Sequence, residues 1–120
     1  MILIKSLLKL SEQYNCKNDE EREKMYYEIR EKFNNSEENK AVYFYFLMKV
    51  GFNGVYRENK LGNFNVPFGR KEKFIVNEDI LFKISKLIKN VKFYNLSYEK
   101  FLDMLSKKGI LNNSFIYCDP

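Results

Sequence analysis

Few side chains in this sequence are equipped for chemistry or recognition, and they concentrate in two places. Of four arginines, two bracket a short glycine-bearing stretch: Arg57 and Arg70 in FNGVYRENKLGNFNVPFGR, Phe52 to Arg70. A guanidinium presents a planar fork of donors that suits phosphate oxygens or the O6/N7 edge of guanine. The second place is the end of the sequence, where Asp119 and Pro120 follow an apolar run, Phe115-Ile116-Tyr117-Cys118. The two cysteines, Cys16 and Cys118, lie far apart, and there is no histidine. Zinc chemistry, a Ser-His pair and a Cys-His pair are thereby excluded, and no metal site is expected.

The elements that must position these groups can be read in outline. Four of the five glycines fall at or just before the Phe52–Arg70 stretch, together with one of the two prolines. Glycine frees the backbone and proline restricts it, so the pair marks a shaped loop rather than a linker. Val55-Tyr56-Arg57 and Phe64-Asn65-Val66 read as two short strands of a β-hairpin, with Glu58 to Asn63 turning between them. Asn59 and Gly62 suit positive φ in that turn. Upstream, Leu3, Leu7, Leu10 and Tyr14 recur at helical steps, predicting a helix over 2–14. Asn18 or Asp19 caps a second helix with Met25, Tyr26, Ile29 and Phe33 inward, stopped at Asn34-Asn35. Ser36 is expected to cap a third helix, to about Val50, which is apolar nearly all round and should be the most buried element. Its aromatic run, Tyr43 to Met48, is assigned to packing rather than to stacking on bases. Downstream, Asn77 or Asp79 caps a helix to about Lys89 with Ile80, Leu81, Ile84, Leu87 and Ile88 inward. Val91 to Asn95 reads as a strand, Ser97 caps a helix with Phe101, Leu102 and Leu105 inward, and Phe115 to Cys118 reads as a buried parallel strand. A helix between two strands is one βαβ crossover.

The 120 residues allow one small domain, and 45% hydrophobic and 17% aromatic content is enough for a core. The net charge of +5 is unevenly placed. Residues 1–40 carry eight basic and nine acidic groups, whereas residues 41–120 carry thirteen and seven. The positive excess therefore sits on the half with the hairpin, which favours an anionic partner. The opening MILIKSLLKL is too short and too interrupted by lysine to span a bilayer, so no membrane association is expected and the cytoplasm is the default.

The loop supports a more specific reading. Phe52-Asn53-Gly54-Val55, Arg57, Asn59, Gly62, Phe64-Asn65-Val66-Pro67 and Gly69-Arg70 follow one another with fixed gaps after an apolar helix. This resembles the target-recognition hairpin of the Dam-type, D12-class adenine-specific DNA methyltransferases. The closing Asp119-Pro120 is similar to the first half of that family's Asp-Pro-Pro-Tyr motif. The resemblance implies an α+β chain: a helical target-recognition region over 1–76 carrying a protruding β-hairpin at 52–70, then a partial Rossmann-like βαβ segment of the catalytic domain over 77–120.

It also implies roles. Double-stranded DNA would be the partner, in a bacterial or phage-like cytoplasm, and a two-stranded ribbon fits its major groove. Arg57 would read a guanine as a fork, Val55 and Pro67 would meet a thymine methyl, and Phe52 would wedge beside the vacated stack when an adenine flips out. Arg70, Lys60, Lys71 and Lys73 would meet phosphates or base edges. Asn53, Asn59 and Asn65 are expected to brace turns and strands rather than to read bases. Asp119 would accept a hydrogen bond from the exocyclic amine of the flipped adenine, and Pro120 would add its carbonyl. The methyl donor of the complete enzyme would be S-adenosylmethionine.

The family's glycine-rich cofactor loop should precede the recognition hairpin, yet no glycine occurs before Gly51, so no cofactor-binding residue can be named. The expectation is therefore a fragment, inactive as a methyltransferase by itself, completed by a complementary chain or left as an interrupted copy. Two alternatives stand beside it: a stand-alone DNA-binding module and an inactive remnant. GATC is the target the resemblance suggests.

Overall fold

A computed structural model describes residues 2–119. Their regular elements are five α-helices: α1 (Ile2–Asn15), α2 (Asp19–Asn35), α3 (Lys40–Val50), α4 (Glu78–Leu87) and α5 (Tyr98–Lys107). Short 3-10 turns occupy Phe52–Gly54 and Leu111–Asn113. The chain divides into two units, one ending at Ile84 and one starting at Ser85.

In the first unit, α1 buries Leu7 and Tyr14, two helical turns apart on one face. Asn18 rather than Asp19 caps α2. Its extended backbone lets Oδ1 accept from the Glu21 amide at 3.0 Å, while the Glu21 carboxylate accepts from the Asn18 amide at 3.0 Å. This reciprocal box satisfies two donors that the first turn leaves open, and Asp19, Glu20 and Glu21 complement the helix dipole there. Tyr26, Ile29 and Phe33 form the buried stripe of α2, and α3 contributes Val42, Phe46, Leu47 and Val50. Ser36 does not cap α3 as expected. It ends α2, its hydroxyl accepts from the Glu38 amide in the turn that follows, and α3 starts only at Lys40, after Asn39 in the left-handed region.

The rest of the core comes from the loop. Phe64, Val66 and Phe74 are each at most 2% exposed and join the helical stripes. Phe74 meets Phe46 edge-on at 5.1 Å, and Phe46 in turn meets Tyr14 at 5.5 Å. Such pairs add to plain area burial because ring edges face ring faces.

The α+β expectation is overturned. Among the described residues there is no β-strand, so neither a regular β-hairpin nor a Rossmann-like βαβ piece is present; the loop makes only isolated antiparallel bridges, Gly51 with Phe68 and Glu58 with Phe64. The reason lies in where backbone groups find partners. Phe64, Val66 and Phe74 direct backbone groups to side chains of α1 and α2, and toward the first arm the bonds are scattered, Asn65 to Arg57 and Phe52 to Pro67, so the arm lies on the helices and no ladder extends. Val91–Asn95 and Phe115–Cys118 are irregular and exposed. An apolar run predicts burial, but a strand exists only by pairing, and no described segment pairs with either.

Asn77 caps α4, accepting from the Ile80 amide at 3.0 Å. The helix ends at Leu87, and its expected inward residues Ile80, Ile84 and Leu87 are exposed, as is Ile88 beyond it; only Leu81 packs on the core. In the second unit Ser97 caps α5 by accepting from the Lys100 amide at 3.4 Å. Phe101 packs on Tyr94 at 5.5 Å, an Asp103–Lys107 pair spans one turn, and Gly109, with φ of 68°, closes the C-terminal end.

Candidate nucleic-acid interface

The loop leaves α3 at Gly51 and returns at Gly69, and the two ends are pinned together. The Phe52 amide donates to the Pro67 carbonyl, and the Gly69 amide to the Val50 carbonyl, both at 3.0 Å. Glycine is required at both ends, at Gly51 by the last turn of α3 and at Gly69 by the approach itself. A Cβ at Gly51 would stand 2.5 Å from the Leu47 carbonyl oxygen, and one at Gly69 2.5 Å from that of Val50. Just after the pin, Asn53 and Gly54 both take positive φ, turning Phe52 outward, where it is exposed.

The far end closes with a tight turn. The Asn59 amide donates to the Asn63 carbonyl at 2.9 Å, and the Asn59 side chain accepts from the Leu61 and Asn63 amides. Gly62 holds positive φ there, whereas Asn59 serves as a side-chain brace. Between turn and pin the side chains alternate. Phe64 and Val66 point into the core; Asn65 and Pro67 lie between and beyond them. On the first arm Tyr56 packs on Phe64 at 5.4 Å and on Phe44 at 6.0 Å, so it belongs to the helix-facing side. Its hydroxyl donates to the Glu58 carboxylate, a bond that raises the Tyr56 pKa above the ordinary tyrosine value. Arg57, next in sequence, is on the outward side. Its Nε donates to Asn65 Oδ1 at 2.8 Å, and the Asn65 amide donates to the Arg57 carbonyl at 3.1 Å.

The arginine is therefore steered by a neutral amide, not neutralised by a carboxylate. The ion pairs among the described residues are Arg22–Asp19, Lys40–Glu37 and Lys107–Asp103, none of them in the loop. Arg70 is exposed and sits at φ of 52°, a conformation uncommon for a residue with a side chain. Val55, Lys60, Pro67 and Lys71 are exposed as well. Between Phe52 and Lys73 five basic side chains outnumber two acidic ones.

Helical side chains hold this loop down that the sequence marked only for packing (Tyr14, Tyr26), as a helix stop (Asn34) or not at all (Asn15, Arg30). Tyr26 Oη and Arg30 both donate to the Val66 carbonyl at 3.0 Å. Asn34 takes both backbone groups of Phe64, donating to its carbonyl at 3.0 Å and accepting from its amide at 2.8 Å. Asn15 of α1 does the same for Phe74, at 3.1 and 2.8 Å. Tyr14 donates to the Lys71 carbonyl. Burial pushes the hydroxyls of Tyr14 and Tyr26 up to about 12, partly offset by Arg22 and Arg30 respectively. The only sequence signal for these roles was the polar residues flanking the apolar stripe of α2 at four-residue steps.

Asp119 lies in the second unit and is exposed; Pro120 lies outside the described residues. Both cysteines are exposed and free. Among the described residues no cluster of three metal-binding side chains occurs, and no helix is long and apolar enough to cross a membrane. Nor do these residues fit a nucleoside cofactor. Among the described residues no charged side chain is buried, and one hollow of about 580 Å3 is an open trough along α1 and α2 edged by lysines and glutamates such as Lys17, Lys24 and Glu28.

Known proteins are similar to this chain in sequence. The family model of the D12 class N6 adenine-specific DNA methyltransferases matches residues 2–120. The Type II methyltransferase M.MjaIII of Methanocaldococcus jannaschii is 37% identical over 98% of this chain. The DNA adenine methylase of Escherichia coli K12 is 39% identical over 80% of it, and the retron Ec67 DNA adenine methylase of Escherichia coli 36% over 82%. The chain spans 41% of the length of the first of these and 34% of the other two. With nearly every residue matched by the family model, the chain belongs to the D12 class of N6 adenine-specific DNA methyltransferases.

Proposed function

We propose that residues 51–73 are the target-recognition element of an adenine-specific DNA methyltransferase and bind duplex DNA in the major groove. The observation that carries this reading is Arg57: exposed, held by Asn65 on the outward side of the loop, and without a carboxylate partner among the described residues. A guanidinium whose direction is fixed before binding loses less freedom on reading a base edge. Arg57 reads a guanine of the target, GATC in the first instance, with Val55 and Pro67 against a thymine methyl and Phe52 beside the vacated stack. Arg70, Lys60 and Lys71 meet phosphates.

In the complete enzyme Asp119 and Pro120 belong to the site that holds the exocyclic amine of the flipped adenine. S-adenosylmethionine supplies the electrophilic methyl group there. Because the described residues do not form a nucleoside pocket, the proposal assigns recognition to this chain and leaves methyl transfer to the cytoplasmic enzyme that contains it or to a complementary chain.

A titration of the chain against labelled duplexes with and without GATC, with and without S-adenosylmethionine, tests this. The expected result is a preference for GATC that falls steeply with salt and does not depend on the cofactor. Equal affinity for all duplexes would remove the base-reading role. A requirement for S-adenosylmethionine would overturn the separation of recognition from cofactor binding. The alternative of a stand-alone DNA-binding module is favoured by one observation: the core and the loop that rests on it lie within the first unit. Binding without methylation, by a chain that no partner chain restores to activity, is the outcome that would select it.

A further inference from the structure

We propose that Asn34 is a positioning residue for base recognition: its carboxamide, paired with both backbone groups of Phe64, sets the face of the loop from which Arg57 projects. The inference rests on the reading of Arg57 given above.

The argument starts from a shortage of backbone partners. The arm 64–68 lacks a neighbouring strand on its helix side, so its polar groups need others. On α2, Tyr26, Arg30 and Asn34 stand at four-residue steps, and one face of a helix repeats at that spacing. They meet the arm in reverse order, Asn34 at Phe64, then Arg30 and Tyr26 at Val66, while the Phe68 amide donates to Tyr27 Oη at 3.5 Å. The spans agree: seven helical residues from Tyr27 to Asn34 cover about 10 Å, and four extended residues from Phe64 to Phe68 about 13 Å. The helix thus stands in for a strand.

Among these contacts only Asn34 uses one side chain both to donate and to accept, as a paired strand would. Each of the other three meets a single backbone group of the arm and leaves more than one local register open. The two bonds of Asn34 fix both the height and the rotation of residue 64. A one-residue slip would turn Phe64 out of the core and Asn65 into it, because side chains alternate. Asn65 is the residue that carries Arg57 Nε. Asn34 is therefore joined to the guanidinium through Phe64 and Asn65 without touching DNA.

The test reads the guanine edge itself. Binding is compared, at one stated salt concentration, between a GATC duplex and the same duplex with 7-deazaguanine in place of that guanine, which removes the N7 acceptor. The chain is expected to bind the natural duplex more tightly by about fivefold or more, the lower range for one bidentate contact. Asn34→Ala is expected to bring that ratio to within about twofold of unity, the residue of a fork that no longer aligns. Asn34→Asp, which keeps the acceptor and loses the donor, should fold and give a ratio between the two. Asn35→Ala is the control on the same helix; its side chain bonds only the Glu31 carbonyl, and the ratio should stay at the wild-type value. In an Arg57→Ala background, Asn34→Ala should change the ratio no further.

A merely structural Asn34 would lower the fraction of chain able to bind while leaving the ratio intact, and a wild-type ratio in both Asn34 variants overturns the proposal. An Arg57→Ala chain that still discriminates against 7-deazaguanine, or a parent chain that never did, sinks the base-reading premise instead. The two failures are therefore told apart.

Discussion

Residues up to Ile84 and residues from Ser85 onward are both rich in apolar side chains, yet only the first group buries them. Among the described residues twelve apolar side chains are buried in the core, and the last in sequence is Phe74. Beyond it, Phe93 is 74% exposed, Phe115 92% and Tyr117 79%. Local order does not separate the regions: α5 is as well capped as the helices before it, with Ser97 at its start and Gly109 at its end. What differs is the supply of partners. In the first unit α3 packs on both α1 and α2 and the loop closes the remaining side, whereas within the second unit α5 meets Tyr94 and the turn after it. Helix-forming sequence is thus cheap to satisfy locally, and apolar burial is not. The loop of residues 51–73 rests on the core of the first unit, and its geometry is fixed as a result.

The comparison breaks first under truncation of large aromatic side chains. Phe46 is fully buried between Tyr14, Tyr26 and Phe74. Phe46→Ala is expected to cost about 3–5 kcal/mol, enough to abolish cooperative melting. Phe115→Ala should leave the melting temperature within error. If the two variants melt alike, the cores of the two regions do not differ as described. Next in size is alkaline titration. Burial pushes Tyr14 and Tyr26 up to about 12 in the folded chain, above the ordinary tyrosine value of 10.0. The unfolded chain therefore loses these protons first. The stabilisation is fully present below pH 10 and is lost as the pH climbs to about 12, on the order of 2 kcal/mol for each ring. Circular dichroism of α1–α3 followed against tyrosinate absorbance should show helix loss tracking ionisation, and Tyr14→Phe should delay it. Helix loss that begins well below pH 10 would point to another group.

How much of this was legible in the sequence depended on how far away the partner lies. Periodicity and caps act within four residues, so α1, α2 and α5 were readable to within a residue or two, Asn18 or Asp19 being the one choice left to make. The α3 start was misread because Ser36 has the right chemistry for a cap but is used in a turn. The loop showed its glycine positions, but both of its arms were taken for strands. Nothing in Phe64-Asn65-Val66 tells that its hydrogen bonds go to Tyr26, Arg30 and Asn34, thirty or more residues earlier. The same gap misled Phe115–Cys118, where an apolar run was read as a buried strand. Of the proposed site, Arg57 and Arg70 were visible as rare residues in a patterned stretch. The Asn34 and Asn15 clamps were not, since asparagine is abundant in this chain and carries no mark of its partner.

A third contrast concerns charge. Arg57 is positioned by Asn65, whereas Lys100 on α5 is an exposed lysine outside the loop. Arg57→Ala is expected to reduce the preference for a GATC duplex by about 1–3 kcal/mol, while Lys100→Ala should lower affinity for every duplex equally or not at all. Competition titrations at fixed salt measure both. A uniform loss from Arg57→Ala would recast it as a phosphate contact and leave the loop without a base-reading arginine.

The smallest effect separates the regions most finely, because it compares equivalent features. Asn18 and Ser97 are both N-caps whose side chains accept from the third helical amide. Removing either cap leaves the same donor unsatisfied at an exposed helix end, and the local cost is about 1 kcal/mol in each case. The consequence should differ. α2 supplies Tyr26, Ile29 and Phe33 to the core, so Asn18→Ala should lower the midpoint of cooperative unfolding measured in urea. α5 buries no residue completely, so Ser97→Ala should reduce helicity before the transition and leave that midpoint where it was. A matching fall in both midpoints would mean that α5 unfolds together with α2, and the second region would then be a cooperative part of the fold despite its exposed apolar surface.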